Sequence, residues 1–222
     1  MRVEDITAFG SVEKVQEILK EQENLLLNLA YKIRDSKSRD EKHLCLHNFV
    51  VYTAIQIKYL SITLDFPTEF LAWIARNLFE LSILARYVSL SADNLKEYAT
   101  ELPYDEIEIL EGMKEMVPPE EKATLHDITE RITALKNVTA NYDRVLHRHK
   151  STANLAKITG MEKEYNAFFK LYSKYVHPSA WLIHGSTARV HRDEIKKTFL
   201  VQAQLYAGII SKIVSDETGI GV

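Results

Sequence analysis

Apolar residues recur every third or fourth position along most of this chain. Val12, Val15, Ile18, Leu19, Leu25, Leu26, Leu29 and Ile33 trace one helical face, and Ser11 stands before them as an N-cap. The pattern predicts a helix from there to about Arg34, after a short lead-in over residues 1–10. The polar run DSKSRDEK reads as a loop or a frayed helix start. A second helix is predicted over 40–64; it is apolar on most sides and is expected to be central. Pro67 suits a first helical turn and opens a third helix, through LAWIARNLFELSILARYV to about Leu90. A short helix follows over 92–101, then an acidic one bracketed by Pro103 and the Pro118–Pro119 pair. A long charged helix covers 119–149. TANLAKITG is a short helix closing on Gly160 as a C-cap. The next covers 161–177, and the last runs over 192–214 with Phe199, Leu200, Leu205, Tyr206, Ile209, Ile210 and Ile213 inward. No strand pattern or repeat interrupts this series. The predicted fold class is all-α, an irregular bundle of about seven to eight helices. A single domain is expected over 1–222, with 100–120 as a protruding insertion.

Composition agrees with helices. The 222 residues include only 7 glycines and 5 prolines, few for the turns of an all-β protein. A formal net charge of -3 gives no overall drive toward nucleic acid or an anionic membrane. The charge is uneven: residues 101–130 hold ten acids against two lysines, and residues 131–175 hold nine Lys or Arg against three acids. Either the two segments pair with each other and with water, or the second presents a basic surface to an anion such as RNA. Cys45 is the only cysteine, which excludes an internal disulfide and fits a reducing, cytoplasmic setting. Acids stand where a signal peptide needs an apolar core, and the most apolar stretch, FVVYTAIQIKYLSITLDF, is broken by Gln56 and Lys58, so no membrane span is expected.

Candidate chemistry concentrates in LYSKYVHPSAWLIHG, residues 171–185. Projected at 100° per residue, the 161–177 helix puts Tyr165, Phe168, Leu171, Tyr172 and Tyr175 on an apolar face, with Phe169 and Val176 on its flank. Lys163, Asn166, Lys170, Ser173, Lys174 and His177 fall on the other side. Pro178 disfavours helical geometry at His177, so a break is expected there, and Gly185 is a second breaker. His177 then caps a helix end, binds an anionic group together with Ser173, Lys170 and Lys174, or transfers protons. His177, His184 and His191 are spaced by seven, about 10 Å per step on a straight helix, too far to share a metal. His43 and His47 have the i, i+4 spacing that can hold one, but no further ligand pair accompanies them. No metal and no cofactor are expected.

The segment FLAWIARNLFELSILA contains only two charged residues, Arg76 and Glu80, on one face at i and i+4. Trp73, Ile83 and Tyr87 flank them. The pair is either an internal clamp between helices or, with Asn77, the lining of a pocket in which Arg76 meets an anion and Glu80 orients it.

ARNLFELSILARYV and the later ANLAKITGMEKEYNAFFKLYSKYVHPS resemble an uncharacterised bacterial all-helical family, a domain of unknown function. Its pattern is an Arg-Asn-x-x-Glu helix and a Tyr-rich helix running into Ser-x-x-x-His, a small residue or proline, then Ser. Arg76, Asn77, Glu80, Tyr165, Tyr172, Ser173, His177 and Ser179 match it. The resemblance implies the all-α fold and these site residues, and no activity. A more distant likeness is to the HEPN group of helical bundles, which includes ribonuclease toxins and antiviral effectors and has an active site of Arg, a polar residue, then His. Arg144 to His149 has that outline with Val145 in the polar place; Arg76-Asn77 has the opening, but Leu81, Ser82 and Ile83 stand where the His would be.

These readings converge on a helical ligand- or partner-binding module, for an anionic group, RNA or a protein partner, with Arg76 and His177 as the catalytic candidates and Glu80, Asn77, Ser173, Lys170 and Lys174 as binding candidates. The alternatives are a HEPN-like metal-independent ribonuclease of a toxin or antiviral defence system, using His177 or His149 with an arginine, and a structural scaffold that oligomerises, for instance as a homodimer.

Overall fold

The computed structural model describes residues 11–38, 40–141, 146, 150–185 and 192–221. Among these the regular structure is helical, without strands. The chain divides into two compact units, residues 1–86 with 152–222 and residues 87–151.

The first unit holds α1 (Val12–Arg34), α2 (Glu41–Ile62), most of α3 (Thr68–Leu90), and the elements after residue 152. Helix starts are set by short polar side chains. Ser11 accepts from the Lys14 N–H at the start of α1, and Asp40 accepts from the His43 N–H at the start of α2. α1 packs along α2, and the C-terminal helix packs on both. Leu19, Leu29 and Ile33 of α1 meet a core that includes Leu46, Ile57 and Leu60 of α2, all without solvent exposure or nearly so.

α2 is less enclosed than its composition predicts. Tyr52, Ile55, Tyr59 and Ile62 are exposed, and so are Phe66, Phe70 and Trp73 in the turn after α2 and the first half of α3. The apolar character that made α2 look central is split between a buried face and an open one.

α7 (Thr152–Ile158) ends at Gly160, whose φ of 73° places it in the left-handed region. Met161 N–H reaches the Ala156 carbonyl and Gly160 N–H the Lys157 carbonyl, the paired bonds of a Schellman ending. The chain then enters α8 (Glu162–Glu164), a π-turn over Tyr165–Phe169, α9 (Lys170–Val176), α10 (Ala180–His184) and α11 (Arg192–Thr218). His177 is extended (φ -112°, ψ 148°), as the following proline demands. The next helix starts at Ala180, two residues past Pro178, capped by Ser179, which accepts from Leu182 N–H.

The second unit contains α4 (Ala92–Ala99), α5 (Glu101–Met116) and α6 (Lys122–Asn141). Pro103 sits inside the first turn of α5 instead of preceding it, where its missing N–H costs nothing. α5 and α6 pack together and are joined by Arg131–Glu106 at 2.7 Å and Lys136–Glu111 at 3.6 Å. The acidic and basic stretches thus partly neutralise each other at the surface. Glu97 accepts from the Tyr87 hydroxyl and pairs with Lys150, whose ammonium also lies over the Tyr87 ring.

Candidate functional site

Helical spacing along α3 sets out the site. Trp73, Arg76 and Glu80 follow one another at i, i+3 and i+7, so they share a face. Leu71, Ile74, Ala75, Leu78 and Phe79 point the other way and are buried. Arg76 Nε donates to Glu80 Oε1 at 2.7 Å, and the two side chains keep 21% and 33% of their exposure. The pair is therefore at the rim of the core, reachable by solvent, and not sealed between helices. Burial, and after it the Glu80 carboxylate, raises the Tyr52 phenol above its ordinary value. Asn77 turns toward α2 and donates to Oε1 of the buried Gln56 at 3.3 Å.

The opposite wall comes from the π-turn and α9. Phe79 packs against Phe169 and Tyr172, and the rings of Tyr165 and Phe169 stack at 4.7 Å. The Arg76 guanidinium lies over the Phe169 ring, 4.6 Å from its centre, so Tyr165, Phe169 and Arg76 form one stack. A π-turn holds an extra residue per turn, and such turns are frequent at functional sites. Here it brings Phe169 beneath Arg76.

His177 closes the arrangement. Arg76 Nη1 donates to His177 Nε2 at 3.1 Å, across 101 positions of sequence. A guanidinium has only donors, so Nε2 must offer its lone pair and the ring proton resides on Nδ1. The guanidinium is thereby fixed on three sides, by Glu80, His177 and Phe169. Of its five N–H donors, two are engaged. The other three have no acceptor among the described residues.

The structure thus brings Arg76, Glu80 and His177 into direct contact. Ser173 lies between Phe169 and His177 on the same stripe, and its hydroxyl donates to the Phe169 carbonyl. Lys170 and Lys174 are exposed, one position beyond Phe169 and Ser173, and neither forms an ion pair with a described residue. Tyr172 is fully buried and donates to Gln202 Oε1 at 2.8 Å, so it belongs to the core. Ser179 caps α10. Arg144, His149 and His191 lie outside the described residues, and His184 ends α10. His43 is held by Asp40 and Ser38, and His47 contacts Asn48. Among the described residues no three His, Cys, Asp or Glu side chains gather as a metal site would require.

The sequence reasoning did not place Phe169, Gln56 or Tyr52 in the site, and it named Trp73 only as a flank of the Arg76–Glu80 pair. For Gln56 a signal existed: an uncharged polar residue inside an apolar helix needs a buried partner. Beside Arg76 and His177 opens a cleft of about 350 Å³ lined by Glu69, Phe70, Trp73, Tyr175 and Val176.

A family model described as "Family of unknown function (DUF5677)" matches residues 44–195, more than half of the chain. The chain belongs to this family. The DUF5677 match takes in Arg76, Glu80, Phe169 and His177 together, and it agrees with the likeness to an uncharacterised helical family carried by the Arg-Asn-x-x-Glu and Ser-x-x-x-His-Pro-Ser blocks. No curated protein and no solved structure matches the chain. No described helix is long and apolar enough to cross a membrane.

Proposed function

We propose that this DUF5677 chain is a binding module in which Arg76 receives an oxyanion, a phosphate group above all. One observation carries the reading: a guanidinium held by Glu80, His177 and Phe169, with three N–H donors unclaimed at a solvent-reachable edge. A planar fork so fixed matches two oxygens of a phosphate or carboxylate without first having to be ordered. Glu80 cancels one positive charge, so the attraction depends on the exposed Lys170 and Lys174 of α9. Ser173 and Asn77 hold the frame, through the Phe169 carbonyl and Gln56. The lone Cys45 fits a cytoplasmic setting for such a protein. The test is calorimetric titration with pyrophosphate. Saturable binding that weakens with salt and is lost in Arg76→Ala is expected; equal binding by a folded Arg76→Ala variant refutes the reading.

The ribonuclease reading has its own observation. His177 is exposed, its Nε2 sits 3.1 Å from the arginine that would hold the phosphate, and the Nε2 lone pair is released for a proton when Arg76 Nη1 turns from it to that phosphate. In such a reaction Nε2 takes the proton of a ribose 2′-hydroxyl, the 2′-oxygen bonds to phosphorus, and the 5′-oxygen leaves and takes a proton from water. That is HEPN-like chemistry with the two residues drawn from different helices. Cleavage of a labelled RNA in chelator, lost in His177→Ala, is the expected result. No cleavage, or cleavage unchanged in His177→Ala, removes this reading and leaves the binding module intact.

A further inference from the structure

The cleft beside the Arg76–His177 pair is built differently from the pair itself. Trp73 and Phe70 come from α3, about one and two turns before Arg76, and Tyr175 and Val176 directly precede His177. Both sites therefore rest on the same two chain segments, about one 5.4 Å helical turn apart. Trp73 is 41% exposed and Phe70 48%, although each is large and apolar. Tyr59 lies 6.4 Å from Trp73, ring centre to ring centre, and is exposed too. Among the described residues lining the cleft Glu69 supplies a carboxylate and none supplies a cation, so the cleft offers an anion no partner. A ligand spanning both places thus has its anion at Arg76 and a flat, uncharged ring with hydrogen-bond donors in the cleft. Lys170 and Lys174 are exposed one helical turn apart on α9, each next in sequence to a residue of the Phe169–Ser173–His177 stripe.

We infer that this surface holds a stretch of single-stranded nucleic acid, with one phosphate at Arg76, the adjoining base on Trp73 and Phe70, and further phosphates along Lys174 and Lys170. The inference rests on the phosphate reading of Arg76 and names its substrate class. Aromatic faces accept any base, and a short line of cations follows the backbone; this is how proteins take single strands without reading sequence. The net charge of -3 does not oppose it, because the attraction is local and acts within a Debye length of about 8 Å at physiological salt.

The experiment uses the full chain carrying Trp181→Phe, which leaves Trp73 as the only tryptophan of the two. Its fluorescence is titrated with an eight-residue single-stranded oligoribonucleotide, an abasic oligomer of equal length, a nucleoside monophosphate and pyrophosphate. The oligoribonucleotide is expected to quench Trp73 and to bind at least about tenfold tighter than the abasic oligomer, a gap that Trp73→Ala, followed by calorimetry, closes. Lys170→Ala with Lys174→Ala flattens the salt dependence, each phosphate contact contributing about 0.7 to the logarithmic slope on a single strand. Equal binding of base-bearing and abasic oligomers overturns the base cleft and leaves the phosphate reading standing. A monophosphate binding as tightly as the oligomer overturns the polymer track. Failure of pyrophosphate and both oligomers to bind overturns both readings. A dimer in solution that Trp73→Ala dissociates, with oligomer binding unaffected, assigns the face to a second copy and overturns the inference.

Discussion

Replacing Arg76 by lysine keeps the charge and removes the fork. The guanidinium makes two separate hydrogen bonds, Nε to Glu80 at 2.7 Å and Nη1 to His177 at 3.1 Å. A lysine ammonium is a point donor on a flexible stem and reaches one of these partners at a time. A hydrogen bond to a charged group contributes about 1.5–3 kcal/mol when shielded. Glu80 retains a third of its exposure, so solvent screening reduces this. A loss of about 1–2 kcal/mol follows, read as a lower urea midpoint with unchanged slope, or as a fall of about 2–8 °C in Tm for a chain of this size. Pyrophosphate affinity should fall further, by about tenfold or more, because the oxyanion loses the planar pair of donors. Both quantities come from one preparation, by urea unfolding followed by far-UV circular dichroism and by calorimetric titration. A variant matching wild type in both would refute the claim that the fork organises the site. Lower stability with unchanged affinity would make the fork a packing clamp and refute the anion reading.

Tyr172→Phe removes the donor to Gln202 Oε1 in a buried setting and should cost about 1–3 kcal/mol in urea unfolding, with pyrophosphate affinity unchanged. Burial pushes the Tyr206 phenol up to about 12. Its neutral form is favoured in the folded chain, so the associated stability is present below about pH 10, the unfolded value, and is lost as pH rises toward 12. Tyr206→Phe should flatten the fall in stability between pH 10 and 12, measured against wild type. At Gly185 a Cβ would stand 2.2 Å from the Trp181 carbonyl oxygen, so Gly185→Ala must displace backbone at the end of α10 and should destabilise by about 1–3 kcal/mol, with a shifted Trp181 emission. Burial, with Glu41 nearby, pushes the Cys45 thiol up to about 12, so a thiol reagent at pH 8 should label it more slowly than a free thiol.

The helices were legible because the apolar period runs unbroken through them and short polar residues mark their starts. Ser11 caps α1 as expected, and Pro178 ends α9 at His177. Arg76 and Glu80 stood out because two charges inside an apolar helix need a reason. Their contact with His177 was not legible, since no local rule links residues 101 positions apart. Phe169 was placed on a flank by projection at 100° per residue, and the π-turn at Tyr165–Phe169 breaks that projection. The openness of Trp73, Phe70, Tyr52 and Tyr59 was not legible either. Periodicity reports which residues share a face and not whether that face finds a neighbour, and here part of it stays open to solvent.

The 101-position span between Arg76 and His177 has a consequence for the chain during its synthesis. Glu80 is translated four codons after Arg76 and joins it within the same helix, but the ring that completes the site does not yet exist. The ribosome adds about 5–20 residues per second, so several seconds pass before His177 is made, and longer before it clears the exit tunnel. Until then the nascent chain carries a half-built site, with its guanidinium held by Glu80 alone. The three-sided clamp on Arg76 is thus a late event in the life of the chain, closed only after residue 177 has been added.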